Sequence, residues 1–314
     1  MDIRIRNLES VDLADADRIF RLAFGTFLGL PHPTAFGGDA DYVHSRWRAA
    51  PAATLGAFVD GELVGSNFVT RRGSFGFFGP LTVHPDFWGR GIAQRLLEQT
   101  MPLFTSHGVT QAALFTFPQS TQHVALYQKF GFWPGHLTLL LEKVVPAAVL
   151  PAEGSLLARE PGPKRERAIA ACRELTASTY PGLDVTDEID AVATQRLGET
   201  VLIAEDDGEL AGFAVCHLGP GSEAGSGAAY LKFAIARPGP GAEARLERVL
   251  AAGEALAAAR GLGRVVAGVN TARRAACRIL LARGYRSMLQ GVAMQRGADA
   301  GYDRPDCFVL DDLR

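Results

Sequence analysis

The sequence is poor in cysteine, poor in lysine and without a long apolar run, and each scarcity removes a class of protein. The four cysteines, Cys172, Cys216, Cys277 and Cys307, are scattered, with no Cys-x-x-Cys pair and none before residue 172. That spacing predicts neither a disulfide framework nor a metal site, and it excludes covalent cysteine catalysis from residues 1–150. No stretch approaches the roughly 18 uninterrupted apolar residues of a membrane span. The start, Met1 to Asn7, alternates charge with apolar residues where a secretory signal would have an apolar core. Lysine is confined to Lys129, Lys143, Lys164 and Lys232, and the net charge is −2 with no long run of one sign. A nucleic-acid stripe or a polybasic membrane patch needs clustered basic residues, so neither partner is expected. The composition predicts a cytoplasmic protein.

What is present is a repeat. The 314 residues suffice for two ordinary domains. Asp60-Gly61-Glu62-Leu63-Val64-Gly65 recurs as Asp207-Gly208-Glu209-Leu210-Ala211-Gly212. Gly89-Arg90-Gly91 is echoed by Gly239-Pro240-Gly241, and Gly131-Phe132 by Gly284-Tyr285. A period of that size is a whole domain, not a solenoid unit. Pro146, Pro151 and Gly154 break the chain between the copies. The expected division is 1–145, a linker 146–156, and 157–314. In the first copy, apolar periodicity predicts strands near Ile3–Ile5, Ala53–Val59, Glu62–Arg71, Phe75–Val83, Gln111–Phe117 and Phe132–Glu142. Helices are predicted after a capping Asp12, over Asp41–Ala49, Gly91–Ser106 and Thr121–Phe130. The second copy repeats this order. The fold class is α+β, two tandem units, each a mixed, mostly antiparallel twisted sheet flanked by helices.

The segment Val83-His84-Pro85-Asp86-Phe87-Trp88-Gly89-Arg90-Gly91-Ile92-Ala93 runs from a strand into a helix. A helix N-terminus carries about four unpaired amides and a favourable dipole, which suits a pyrophosphate. Gly89 and Gly91 allow close backbone approach, Arg90 adds charge, and small Ala93 allows tight packing. A Gly-x-Gly pair alone also serves plain turns.

The surroundings are more specific. Leu81-Thr82-Val83 precedes the turn, Leu96-Leu97 follows it, and Ala125-Leu126-Tyr127-Gln128-Lys129-Phe130-Gly131-Phe132 arrives about 35 residues on. This combination resembles the GNAT superfamily of acyl-CoA-dependent N-acetyltransferases over most of residues 1–143. Two positions depart from the family pattern: Trp88 stands where Arg or Gln is usual, and Ser120 where an Asn contacts pantetheine. The resemblance implies acetyl-CoA as acyl donor and no metal. It implies that Leu81, Thr82 and Val83 pair with the pantetheine amides, with Ser120 at the former Asn position. Trp88 is expected to contribute its backbone more than its side chain, and Gly89, Arg90, Gly91, Ile92 and Ala93 to hold the pyrophosphate. Tyr127 is implied as general acid toward the departing thiolate, by direct attack in a ternary complex; its rival role is a core aromatic. The base is left open among a carboxylate, a histidine and a water chain, with His123, on the same helical face as Tyr127, the first to test. His84 is expected to face solvent. The loop from Gly25 to Asp39 either closes over the acceptor or packs against the second copy.

The second copy is eroded. Pro240 removes an amide from its turn, and Leu280 stands opposite Tyr127, although Asn270 resembles the pantetheine-contacting Asn. A degenerate domain supporting the first is expected. The leading acceptor is a small-molecule amine; a protein N-terminus or lysine, and a non-catalytic acyl-CoA sensor, are the alternatives. Monomer and homodimer are both left open.

Overall fold

The computed structural model describes residues 2–49, 53–146, 152–297 and 299–313. Residues 147–151 of the linker expected at 146–156 lie outside the described residues. The first half runs β1 (Arg4–Asn7), α1 (Leu13–Phe27), α2 (Val43–Arg48), β2 (Ala53–Val59), β3 (Glu62–Arg72), β4 (Phe75–Val83), α3 (Ile92–Ser106), β5 (Gln111–Thr116), α4 (Thr121–Lys129) and β6 (Phe132–Val144). The second repeats it element for element. It runs β7 (Ser155–Leu156), α5 (Gly162–Thr179), α6 (Thr186–Thr194), β8 (Gly198–Ala204), β9 (Leu210–Leu218), β10 (Ala228–Ala236), α7 (Ala242–Ala259), β11 (Arg264–Asn270), α8 (Arg274–Ala282) and β12 (Arg286–Arg296). A final short strand, β13 (Val309–Leu310), has no counterpart among the described residues of the first half.

Local chemistry accounts for the pieces. In α1, Leu13, Ala16, Ile19, Phe20 and Ala23 recur at helical spacing and are buried. Asp12 stands at its start, but its carboxylate does not cap it. That group turns back to accept from the Glu9 amide at 2.7 Å and to pair with Arg6 at 2.7 Å. The β2–β3 turn places Asp60 and Gly61 at φ 51° and 87°, as the two-residue hairpin demands. The unforeseen α6 opens where Asp184 accepts from the Thr186 amide at 2.9 Å.

The sheet is where the structure goes beyond two separate units. Its order is β1-β2-β3-β4-β5-β12-β6-β11-β10-β9-β8-β7, with β13 on β10. Among the described residues only β4–β5 and β10–β11 pair in parallel; the remaining ladders are antiparallel. Each half has given its last strand to the other: β12 lies between β5 and β6, and β6 lies between β12 and β11. One sheet therefore runs through both halves. Beneath it Phe75, Phe77 and Ala113 share a core with Phe213, Phe233 and Tyr302. No helix among the described residues is long and apolar enough to cross a membrane.

Candidate active site

Strands β4 and β5 are in contact over a short stretch. Their parallel ladder joins Phe75, Gly76 and Phe77 to Gln111, Ala112 and Ala113, and beyond these pairs the strands separate. On its other edge β4 stays paired with β3 as far as Val83. The His84 amide donates to the Val64 carbonyl at 2.8 Å, so by alternation Thr82 also faces β3, while the backbones of Leu81 and Val83 face the cleft. The Thr82 side chain is buried against the Ser66 hydroxyl, 3.1 Å away. The Trp88 indole N–H donates to the Val83 carbonyl at 2.7 Å, so this side chain braces the strand against the turn.

At the open end of the cleft the chain turns into α3. Gly89 and Gly91 take φ 75° and 80°, a region costing other residues about 1–2 kcal/mol. A side chain at either would meet no atom within 4 Å, so backbone conformation, not crowding, calls for glycine. Among the described backbone hydrogen bonds none is donated by the amides of residues 89–94, which leaves a cluster of unpaired donors at the helix start. Ile92 is buried and anchors that start, Ala93 is half-buried, and the Arg90 guanidinium lies 5.1 Å from the centre of the Phe87 ring. His84 is only partly exposed; its Nδ1 accepts from the Asp86 amide at 3.3 Å.

At the closed end lies Tyr127. It is buried on α4, its ring centre 5.8 Å from that of Phe78 on β4. Burial raises its pKa above the ordinary phenol value, so the hydroxyl keeps its proton. His123 has its ring 6.5 Å from Tyr127 and 5.2 Å from Phe27 at the end of α1. Burial lowers its pKa, so this imidazole is neutral at pH 7. Ser120 begins α4 without a side-chain capping bond. The loop between α1 and α2 does pack on the second half: the Asp41 amide donates to the Ser222 carbonyl at 3.0 Å and the Ser226 amide to Asp39 at 2.8 Å.

The matching place in the second half is filled. β10 and β11 pair from Ala228 to Leu231 and then separate as β4 and β5 do. Into that gap the chain lays its own C-terminal strand. Leu310 and Val309 of β13 pair with Ala234 and Ile235, and the Ala236 amide donates to the Phe308 carbonyl at 2.9 Å. Gly241 has φ 81° and ψ 4°, nearly the 80° and 4° of Gly91, so the turn geometry has survived. Its free donors are fewer. Pro240 has no amide, the Ala242 amide bonds Gly239, and the Arg245 guanidinium donates to the Pro240 carbonyl at 2.9 Å. Asn270 is fully engaged, with its amide group on the Thr138 hydroxyl at 3.0 Å and its oxygen on the Ala272 amide at 3.0 Å. Leu280 is buried in the α8 core.

Residues 18–132 match the Acetyltransferase (GNAT) family. No curated protein matches the chain. Among solved structures, a putative acetyltransferase from Pyrococcus horikoshii is similar with a TM-score of 0.67 at 16% identity, covering 98% of this chain and 93% of that one. A GCN5-related N-acetyltransferase from Sphaerobacter thermophilus gives 0.62 at 17% identity, with 94% and 95% covered. A tandem GNAT protein from the clavulanic acid biosynthesis pathway gives 0.57 at 16% identity, with 95% and 100% covered. At these identities the likeness is one of fold.

Proposed function

We propose, from the match of residues 18–132 to the GNAT family and the likeness of the fold to a tandem GNAT protein, that this chain is a cytoplasmic N-acetyltransferase of two tandem GNAT-like domains carrying acetyl groups from acetyl-CoA to a small-molecule amine. In this reading residues 1–145 are the catalytic domain, 146–156 the linker and 157–314 a degenerate domain. The observation that carries it is the conjunction of unpaired amides at Gly89–Ala93 with a splayed strand pair that ends at Tyr127.

The turn amides and the start of α3 bind the pyrophosphate, with Arg90 adding charge. The exposed edge of β4 at Leu81 and Val83 binds pantetheine as a sheet edge binds an added strand; Thr82, turned to β3, keeps that edge straight. Ser120 stands where the arm passes the start of α4. Acetyl-CoA supplies the activated acyl group, which the amine nitrogen attacks directly. Tyr127, kept protonated by burial, gives its proton to the departing sulfur. His123 is neutral and its ring lies 6.5 Å from that of Tyr127, so it is the first residue to change in a search for the base. The loop from Gly25 to Asp41 is anchored at one end by α1 and at the other by the second half. Such a fixed wall favours a small acceptor over a protein chain.

The test is release of free thiol from acetyl-CoA in the presence of a library of primary amines. At least one amine should accelerate it, and Tyr127→Phe should lower that turnover about 100-fold while acetyl-CoA still binds. Thiol release that no amine accelerates would leave a binding module; unchanged turnover in Tyr127→Phe would remove Tyr127 from the chemistry.

A further inference from the structure

We infer that the second half holds the acyl end of the first half's cleft in place through Arg46, with Glu223 as its anchor. The inference rests on the acetyltransferase reading above.

Strand β4 is not continuous. Its register on β3 slips between Asn67↔Leu81 and Val69↔Phe78, so that Gly79 and Pro80 together face the single residue Phe68. This is a bulge, and it re-aims the strand next to it. An arm laid from the glycine turn along Val83 and Leu81 comes next to the bulge. There the Phe78 ring meets Tyr127 with centres 5.8 Å apart. The bulge therefore borders the place where the acyl group meets the proton donor.

One side chain fixes that bulge. The Nη1 of Arg46, on α2, donates to the Gly79 carbonyl at 2.7 Å. Its Nε and Nη2 bind the two carboxylate oxygens of Glu223, each at 2.8 Å. Glu223 lies between β9 and β10 and also accepts from Lys232 at 2.7 Å. Arg46 is 6% exposed and Glu223 4%. A buried ion pair adds little stability over an apolar pair of the same volume. A two-point fork, however, fixes the guanidinium plane and so aims the remaining N–H at one spot. Lysine has no second point and cannot aim. The neighbours of Glu223 reach the acceptor side as well, since Ser222 and Ser226 hold Asp41 and Asp39. A single loop of the degenerate half thus touches both walls of the proposed reaction site. Arg46 is in this view a positioning residue that touches neither substrate.

The experiment compares Arg46→Lys with the wild type in the full chain, reading calorimetric affinities for acetyl-CoA and for CoA, and turnover with the best amine. The expected result is a tenfold loss in kcat and in the preference for acetyl-CoA over CoA, with CoA affinity within twofold. Glu223→Gln, isosteric and gentler on the fold, should give a threefold loss of the same kind. Arg273→Lys is the control: it disturbs an equally buried pair, Arg273 with Asp303 at 2.6 Å, that makes no hydrogen bond to β4. It should lower the melting temperature while leaving both ratios alone. If Arg46→Lys and Glu223→Gln only lower the melting temperature, as Arg273→Lys does, Arg46 is glue between the halves and the inference fails. A wild type that binds no CoA would instead overturn the acetyltransferase reading itself. The affinity ratio needs no acceptor, so the two failures are separate.

Discussion

Burial at the junction of the two halves deprives His217 of its proton. Its Nδ1 accepts from the Glu223 amide at 3.2 Å, while its Nε2 finds no hydrogen-bond partner among the described residues. Burial is the main cause that lowers its pKa from 6.5 to about 4, against the raising effect of the Glu223 carboxylate. Between pH 6.5 and about 4 the unfolded chain binds this proton and the folded chain does not, so stability falls as the solution is acidified. Above that window the contribution is fully present; across it about 3 kcal/mol is lost. Urea unfolding of wild type and His217→Gln should therefore diverge by up to that amount between pH 7 and pH 4, the variant having the flatter curve. Parallel curves would mean that the imidazole titrates normally. At this scale the sequence was informative only where chemistry is local. Gly89 and Gly91 announced positive φ, but nothing near Arg46 announced Glu223, 177 positions away.

Among the elements, the two strand-to-helix turns form a matched pair. The turn into α3 and the turn into α7 share one backbone shape, yet the second has Pro240 without an amide and the Ala242 amide bonded to Gly239, where the first keeps the amides of residues 89–94 unpaired. Gly91→Ala and Gly241→Ala should each destabilise the fold by about 1–2 kcal/mol, the cost of a side chain in the left-handed region. Calorimetry should show CoA affinity falling about tenfold for Gly91→Ala alone, with binding of pantetheine, which lacks the pyrophosphate, unchanged. An equal loss in Gly241→Ala, or a loss for pantetheine, would mean that the turn does not hold the pyrophosphate. The strands and long helices were legible because apolar residues recur along them at periods of 2 and 3.6. The nine-residue α6 was not. Its start follows Pro181-Gly182 and carries Asp187 and Glu188 in the first turn, a composition that reads as loop until the Thr186 amide is seen bonded to Asp184. β13 is two residues long and has no period at all.

For the molecule as a whole, strand exchange makes the halves interdependent, and the C-terminal strand makes them unequal. β13 lies in the second cleft in the position a pantetheine arm would need. Titration of the intact chain with CoA should accordingly give one site per chain; two equal sites would show that β13 yields to the ligand. On the proposed reading, the Arg46–Glu223 pair supplies a reason for the second half to persist, since removing it would release the β4 bulge of the first.

The sequence by itself determined the duplication, the order of the paired elements, the glycine turn and which copy carries a proline in that turn and a leucine in place of Tyr127. These are properties of neighbouring residues: periodicity, glycine dihedrals, a proline without an amide. Only the tertiary structure decided that β6 and β12 change places, that the tail fills the second cleft, and that Arg46 joins the halves at the bulge. A strand's alternation says which face is buried but not which strand lies beside it. A buried charge, likewise, takes its partner from whatever part of the chain the fold brings near.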